Sequence, residues 1–256
     1  MRIFFSKLFL VFGVIGLLSA PSAFAFDFSS WDGLLKKYVV PKTINGVYLN
    51  AVDYKKLGKD QAYTKLIKDL EKVSLSSLKT KEEKLTFWIN VYNIMAAKMV
   101  LDHYPVESIK DAGSLFTAVW KKEVGVVAGK TRTLNEIEHE ILRKMGEPRI
   151  HVAIVCASVS CPDLRAEAYT ADKVDDQLND QLKRFLENTE KGLRVDTKKG
   201  RVYLSSIFKW FEEDFETKGG VRNYLAPHAP ASGKAALKNT KLSVYYLDYD
   251  WGLNEL

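Results

Sequence analysis

Apolar positions along this chain recur with two periods, broken by short polar stretches. Residues 52–73, VDYKKLGKDQAYTKLIKDLEKV, repeat at helical spacing, with Asp53 placed to cap the start. Residues 81–105, KEEKLTFWINVYNIMAAKMVLDHYP, spell a second helix closed by Pro105. In that helix Leu85, Phe87, Trp88, Ile89, Val91 and Tyr92 point in nearly every direction, which marks a buried element. Thr86, Asn90, Asn93 and Ala97 form one narrow polar-or-small stripe upon it. Buried amides need partners. Two readings stand: Asn90 and Asn93 tie loop backbone to the core, or the stripe faces a polar pocket.

Residues 124–134 read as a hairpin around Ala128-Gly129-Lys130. Residues 133–146 read as a helix, with Thr133 and Glu136 at capping-box spacing and Gly146 at the C-cap. Its apolar face is set by Leu134, Ile137, Ile141, Leu142 and Met145. Glu138 projects within that face and His139 sits at its flank. An inward carboxylate is either a structural ion pair or a site group with a raised pKa. The apolar run at 149–156, RIHVAIVC, predicts a strand. Alternation then puts His151 on one face and Cys156 on the other, so His139 becomes the better neighbour for Cys156. Further helices are expected over 171–188 and 206–215, the latter capped by Ser205. A hairpin is expected over 193–205, and a last strand over 242–251. Helices and strands mix without strict alternation, which predicts a single α+β domain with helices around a β-sheet.

Composition changes the picture mainly at the N-terminus. Residues 1–25 carry Arg2 and Lys7, an apolar run from Leu8 to Leu18, and Ala23-Phe24-Ala25. This is the pattern of a cleaved signal peptide, so the mature chain is expected to span 26–256 in the periplasm or outside the cell, with no integral membrane segment. Cleavage takes the formal charge from +6 to +4. The lysines are scattered among acidic residues, which argues against nucleic acid as a partner. A small molecule, a peptide or an envelope component is the expected partner.

The chain holds two cysteines and four histidines. Cys156 ends the expected strand and opens a loop of small residues, Ala157 to Ser160, where a ligand can approach closely. Cys161 precedes Pro162, which could open a short helical turn. A Cys-x4-Cys pair is not the Cys-x-x-Cys of redox enzymes, and no zinc spacing, phosphate loop or cofactor motif is present. No metal and no cofactor is therefore expected. The pair is a structural disulfide in an oxidising compartment, a redox pair, or a nucleophile with a neighbour.

Six ordered blocks carry a resemblance: FWINVYNIMAAKMVL, YPVESIKD, LNEIEHEILR, PRIHVAIVCASVSCPDLRAEAY, LSSIFKWFEEDF and YDWGLN. Together, over about 85–254, they resemble the family called domain of unknown function 547. The resemblance implies a widespread domain of exported bacterial proteins and of plant and animal multidomain proteins, some fused to glutaredoxin-like modules. It implies no settled activity. The shared blocks hold Asn90, Asn93, Glu138, His139, His151, Cys156 and Cys161.

The leading reading is a cysteine-nucleophile hydrolase or acyltransferase acting on amide or ester bonds, in a papain-like or transglutaminase-like fold. Cys156 is the nucleophile, His139 or His151 the base, and Glu138 an orienter or acid. Asn90, Asn93, Ser158 and Cys161 contact substrate. In papain-like enzymes the nucleophile precedes the histidine, so a permuted order or His228 as base is required. The alternatives are a non-catalytic envelope domain with a Cys156–Cys161 disulfide, and a thiol redox partner.

Overall fold

The structure, a computed structural model, describes residues 26–113 and 118–256. The expected signal peptide lies outside the described residues.

The centre of the molecule is a helix. Helix α1 (Ser29–Tyr38) leads into the hairpin β1 (Val39–Ile44) and β2 (Val47–Val52), then α2 (Tyr54–Leu57), α3 (Gln61–Glu71) and α4 (Lys81–Asp102). Every residue of α4 from Leu85 to Ala97 is buried. A capping box starts α4: Thr80 Oγ1 accepts from the Glu83 amide, and Glu83 accepts from the Thr80 amide, both at 3.0 Å.

The expected helix over 52–73 is two helices. At Gly58 a Cβ would lie 2.8 Å from Leu101 Cδ2, so a side chain there would require Leu101 of α4 to shift. Asp60 then caps α3 through the Ala62 amide at 2.9 Å, while Asp53 caps α2 as expected.

The hairpin β3 (Glu123–Val127) and β4 (Lys130–Thr133) turns at Ala128-Gly129, both with positive φ. Next comes Glu136–Leu142, a π-helix rather than an α-helix, in which the Arg143 amide bonds back to the Glu138 carbonyl. Thr133 Oγ1 caps its start and Gly146, at φ 67°, ends the following turn.

The expected strand over 149–156 is absent. Ile150–Ala153 is a helical turn, α5, followed by extended Ile154 and Val155. Pro148, with its fixed φ, starts the turn by accepting from the His151 amide at 3.2 Å. The β-branched residues are buried, but no strand lies beside them. The amides of Ile150, Val152 and Ile154 bond carbonyls within the turn, and the Asn93 side chain takes the Ala153 carbonyl and the Val155 amide.

Helix α6 (Val174–Glu187) is followed by β5 (Leu193–Asp196), β6 (Arg201–Leu204), α7 (Ile207–Trp210), α8 (Glu213–Glu216), α9 (Val221–Leu225), α10 (Ala231–Lys238) and β7 (Ser243–Tyr246). Here β5 pairs antiparallel with β6, and β7 pairs parallel with β6 after the helical crossover. The expected helix over 206–215 is broken between Trp210 and Glu213; Ser205 Oγ accepts from the Ile207 amide at 3.4 Å. The fold is α+β as expected, with its strands spread over three small sheets and α4 in the middle.

One apolar core surrounds α4 and includes α1–α3, the π-helix and the cysteine loop. A second lies between the end of α6, the three-stranded sheet and α7–α10. The site lies where they meet. No described helix is long and apolar enough to cross a membrane.

Candidate functional site

Cys156 is half-buried in a loop gripped from two sides. Behind it, Asn93 donates to the Ala153 carbonyl at 2.9 Å and accepts from the Val155 amide at 2.8 Å. In front, the C-terminal segment runs beside the loop. The Val159 amide donates to the Gly252 carbonyl at 2.8 Å and the Asn254 amide to the Ala157 carbonyl at 3.1 Å. Ala157, with φ 60°, takes the left-handed conformation that side chains disfavour. Below, the buried Lys191 ammonium donates to the Cys161 carbonyl at 3.0 Å and to Asp163 at 2.6 Å.

Both cysteines are free thiols, with Sγ atoms 3.1 Å apart. Cys156 Sγ also meets Ser158 Oγ and Tyr249 Oη, each at 3.3 Å. Hydrogen bonds from Cys161, Ser158 and Tyr249 outweigh burial and bring the Cys156 thiol down to about 6. Cys161 is buried and faces that thiolate, so burial and the neighbouring charge push its thiol well up. One thiol is activated and the other held protonated.

A cavity of about 390 Å³ opens beside Cys156 and is lined by Glu138, His139, His151 and Cys161 together with aromatic side chains. Glu138 is 5% exposed and meets Tyr92 Oη at 3.3 Å. Burial, reinforced by the Cys156 charge, raises its carboxyl to about 7.

His151 is buried and stacked on Phe211, ring centroids 3.9 Å apart. Its Nε2 is 2.6 Å from Asp214, while its Nδ1 is buried without a partner among the described residues. Asp214 also takes a two-pronged bond from Arg143, through Nε and Nη2, each at 2.7 Å. Burial pushes the His151 pKa down although Asp214 pulls it up. A neutral His151 donating Nε2–H to Asp214 leaves Nδ1 as a bare base. His139 differs: its Nδ1 accepts from Arg143 Nη1 at 2.9 Å, and burial then the guanidinium lower its pKa.

Several expectations need correction. With α5 a helical turn, alternation no longer separates His151 from Cys156, and the reason for preferring His139 falls away. Both histidines and Glu138 line the same cavity as Cys156. The asparagines do not line it: Asn90 bonds the Tyr169 backbone at 2.8 and 3.0 Å, as Asn93 bonds α5. Ser158 sits beneath Cys156, 2% exposed, and contacts the thiol. His228 packs on Tyr224, away from the cavity lining. Pro162 starts no helix.

Asp214, Tyr249 and Lys191 escaped the sequence reading. The first two fall within the blocks LSSIFKWFEEDF and YDWGLN, but no spacing ties them to Cys156. Lys191 gives no sign of its burial. Among the described residues no group of three or more His, Cys, Asp or Glu side chains is arranged to hold a metal ion.

An α+β domain with an activated thiol at the floor of an aromatic cavity is thus the class defined by fold and site. Residues 75–186 match the family described as protein of unknown function, DUF547. That segment contains Asn90, Asn93, Glu138, His139, His151 and both cysteines; the blocks around Asp214 and Tyr249 lie beyond it. Neither the curated proteins nor the solved structures yielded a match.

Proposed function

We propose that this domain is a thiol-dependent hydrolase or acyltransferase, with Cys156 as nucleophile. The observation that carries the reading is the single cavity shared by a thiol lowered to about 6, a histidine oriented by Asp214 and a carboxyl raised to about 7. The Cys156 thiolate attacks the carbonyl carbon of an amide, ester or thioester, and a carbon–sulfur bond forms. The leaving group departs with a proton from Glu138, which is protonated below about 7. Water, or an acceptor amine or hydroxyl, then attacks the acyl-thiol. His151 Nδ1 takes its proton, Cys156 leaves as thiolate, and transfer of that proton from His151 to Glu138 through the solvent restores both groups. The domain acts outside the cytoplasm after loss of residues 1–25, on a small molecule, peptide or envelope component. A papain-like or transglutaminase-like ancestry is part of the proposal.

A second reading, thiol–disulfide exchange, is favoured by one contact: Cys161 Sγ stands 3.1 Å from Cys156 Sγ. The protein mixed with p-nitrophenyl acetate separates them. Acyl transfer expects a burst of nitrophenol and an acetyl group on Cys156 by peptide mass spectrometry, lost in Cys156→Ala and kept in Cys161→Ala. Asp214→Asn should slow loss of the acetyl group from Cys156 by at least about tenfold, since it frees the imidazole that takes the water's proton. Reduction of insulin disulfides that requires both cysteines, without a burst, would favour exchange. A burst unchanged in Cys156→Ala would end the nucleophile reading.

A further inference from the structure

The mouth of the cavity is built from aromatic side chains on three separate segments. Trp120 comes from the turn before β3, Trp210 and Phe211 from the end of α7 and the residue after it, and Tyr249 and Trp251 from the C-terminal segment. Trp210 stacks on Trp251 with ring centroids 5.8 Å apart and planes 18° apart. Tyr249 packs against both, at 4.8 and 4.5 Å. Trp210 nevertheless remains 47% exposed, an uncommon state for a side chain of that size in the middle of a packed cluster.

The charges of the lining are as telling. No lysine or arginine is among the described residues that line the cavity. Burial drives His139 and His151 toward their neutral forms, and Glu138 is largely protonated below about 7. Arg143, the nearest guanidinium to the histidines, is spent on Asp214, Glu213 and His139. Below about pH 7 the thiolate of Cys156 is then the main charge among the described lining residues, which are otherwise largely apolar. A carboxylate or phosphate beside the scissile carbonyl would meet that thiolate with no cation in the described lining to hold it: Arg143 lies behind Phe211, and Lys110 lies over Trp251. A cationic group is also poorly served. At the Trp210–Trp251 wall it would meet a like charge, since Lys110 Nζ stands 4.3 Å from the Trp251 ring centre.

We infer that the acyl group delivered to Cys156 is uncharged and apolar, a short aliphatic chain or an aromatic ring seated against Ile154, Ile207 and the Trp210–Trp251 wall. The inference rests on the thiol reading above and names its substrate class. At about 390 Å³ the cavity lies at the small end of ligand sites, roughly 300–1,000 Å³, and suits one such group rather than a polymer segment. In the step itself, thiolate sulfur bonds to the acyl carbon, the carbon–heteroatom bond breaks, and the leaving group takes the proton from Glu138.

The test uses N-acetylcysteamine thioesters, whose leaving group is constant and neutral. Second-order rates of Cys156 acylation are measured for acetyl, hexanoyl, phenylacetyl, succinyl and betainyl donors. Hexanoyl and phenylacetyl should exceed acetyl by at least about tenfold, because each buried methylene adds a few-fold. Succinyl should fall below acetyl. Trp210→Ala should narrow the phenylacetyl-to-acetyl ratio. A flat series, or succinyl or betainyl as the fastest donor, overturns the inference. If no donor acylates Cys156, the catalytic reading fails, and the cavity is judged by tryptophan fluorescence of Cys156→Ala titrated with unreactive amides. Quenching by hexanamide and phenylacetamide but not by succinamate supports the apolar assignment. Equal or stronger quenching by succinamate, or none by any amide, overturns it.

Discussion

Glu138 shows how one side chain couples stability to chemistry. Its folded carboxyl is held near 7, above its ordinary 4.5, because burial disfavours the charge and Cys156 adds another. The folded state therefore binds this proton more tightly than the unfolded chain does. Folding is unpenalised below about 4.5, and the penalty grows as pH rises to about 7, reaching about 3 kcal/mol. Glu138→Gln removes the titration and keeps a polar partner for Tyr92. Urea denaturation should show the variant gaining up to about 3 kcal/mol on wild type between pH 4.5 and 8. An equal offset at both pH values would show that Glu138 does not titrate in this window. The same proton shapes reactivity. With a thiolate formed above about 6 and a carboxylic acid present below about 7, acyl transfer should peak between those values, and Glu138→Gln should lose the alkaline fall. The inward direction of Glu138 was legible in its helical position. The π-winding that delivers it was not, because an extra residue per turn leaves no mark in an apolar period.

At the scale of elements, the decisive piece is the turn α5 and the side chain that stands in for its missing strand neighbour. Apolar β-branched runs fit a strand or a buried turn equally well. The arbiter here is Asn93, sixty residues upstream of the Ala153 carbonyl it bonds. The sequence marked Asn90 and Asn93 as anomalies on an apolar helix, and both are buried with every amide bond made to loop backbone. What it could not show is which loops they hold. Asn93→Ala strands one buried carbonyl and one buried amide, which should cost about 2–5 kcal/mol and loosen the residue next to Cys156. Amide hydrogen exchange at Val155 should speed up by more than that at Tyr169, which Asn90 holds. Equal acceleration at both would mean that global unfolding, not the local grip, is being read. Asn93→Asp, which keeps the acceptor for Val155, separates the two bonds.

On the scale of the molecule, the site is a seam. Cys156, Glu138 and His139 belong to elements packed on α4, whereas Asp214, Trp210 and Phe211 belong to the core around the three-stranded sheet. The C-terminal segment stitches them. The Leu253 amide bonds the Glu107 carbonyl at 2.7 Å, Tyr54 Oη bonds Asn254 Oδ1 at 2.8 Å, and Tyr249 reaches the thiol itself. Such long-range closure is invisible to local periodicity, which is why the α+β class could be read from the chain while the partners of Cys156 could not. It also makes the thiol a reporter of whether the seam is shut. Removing residues 248–256 should return Cys156 toward the ordinary cysteine range near 8.5, read from the pH dependence of iodoacetamide alkylation. Because that truncation also removes packing, Tyr249→Phe is the sharper test. It deletes one donor to the thiolate and leaves the ring packed against Trp210 and Trp251. Its alkylation midpoint should rise by roughly one pH unit with little change in urea midpoint, since a lost hydrogen bond to a charged group weighs about 1.5–3 kcal/mol before solvent recovers part of it. An unchanged midpoint in Tyr249→Phe would mean that Cys161 and Ser158 alone hold the thiolate and that the C-terminal seam serves only to wall the cavity.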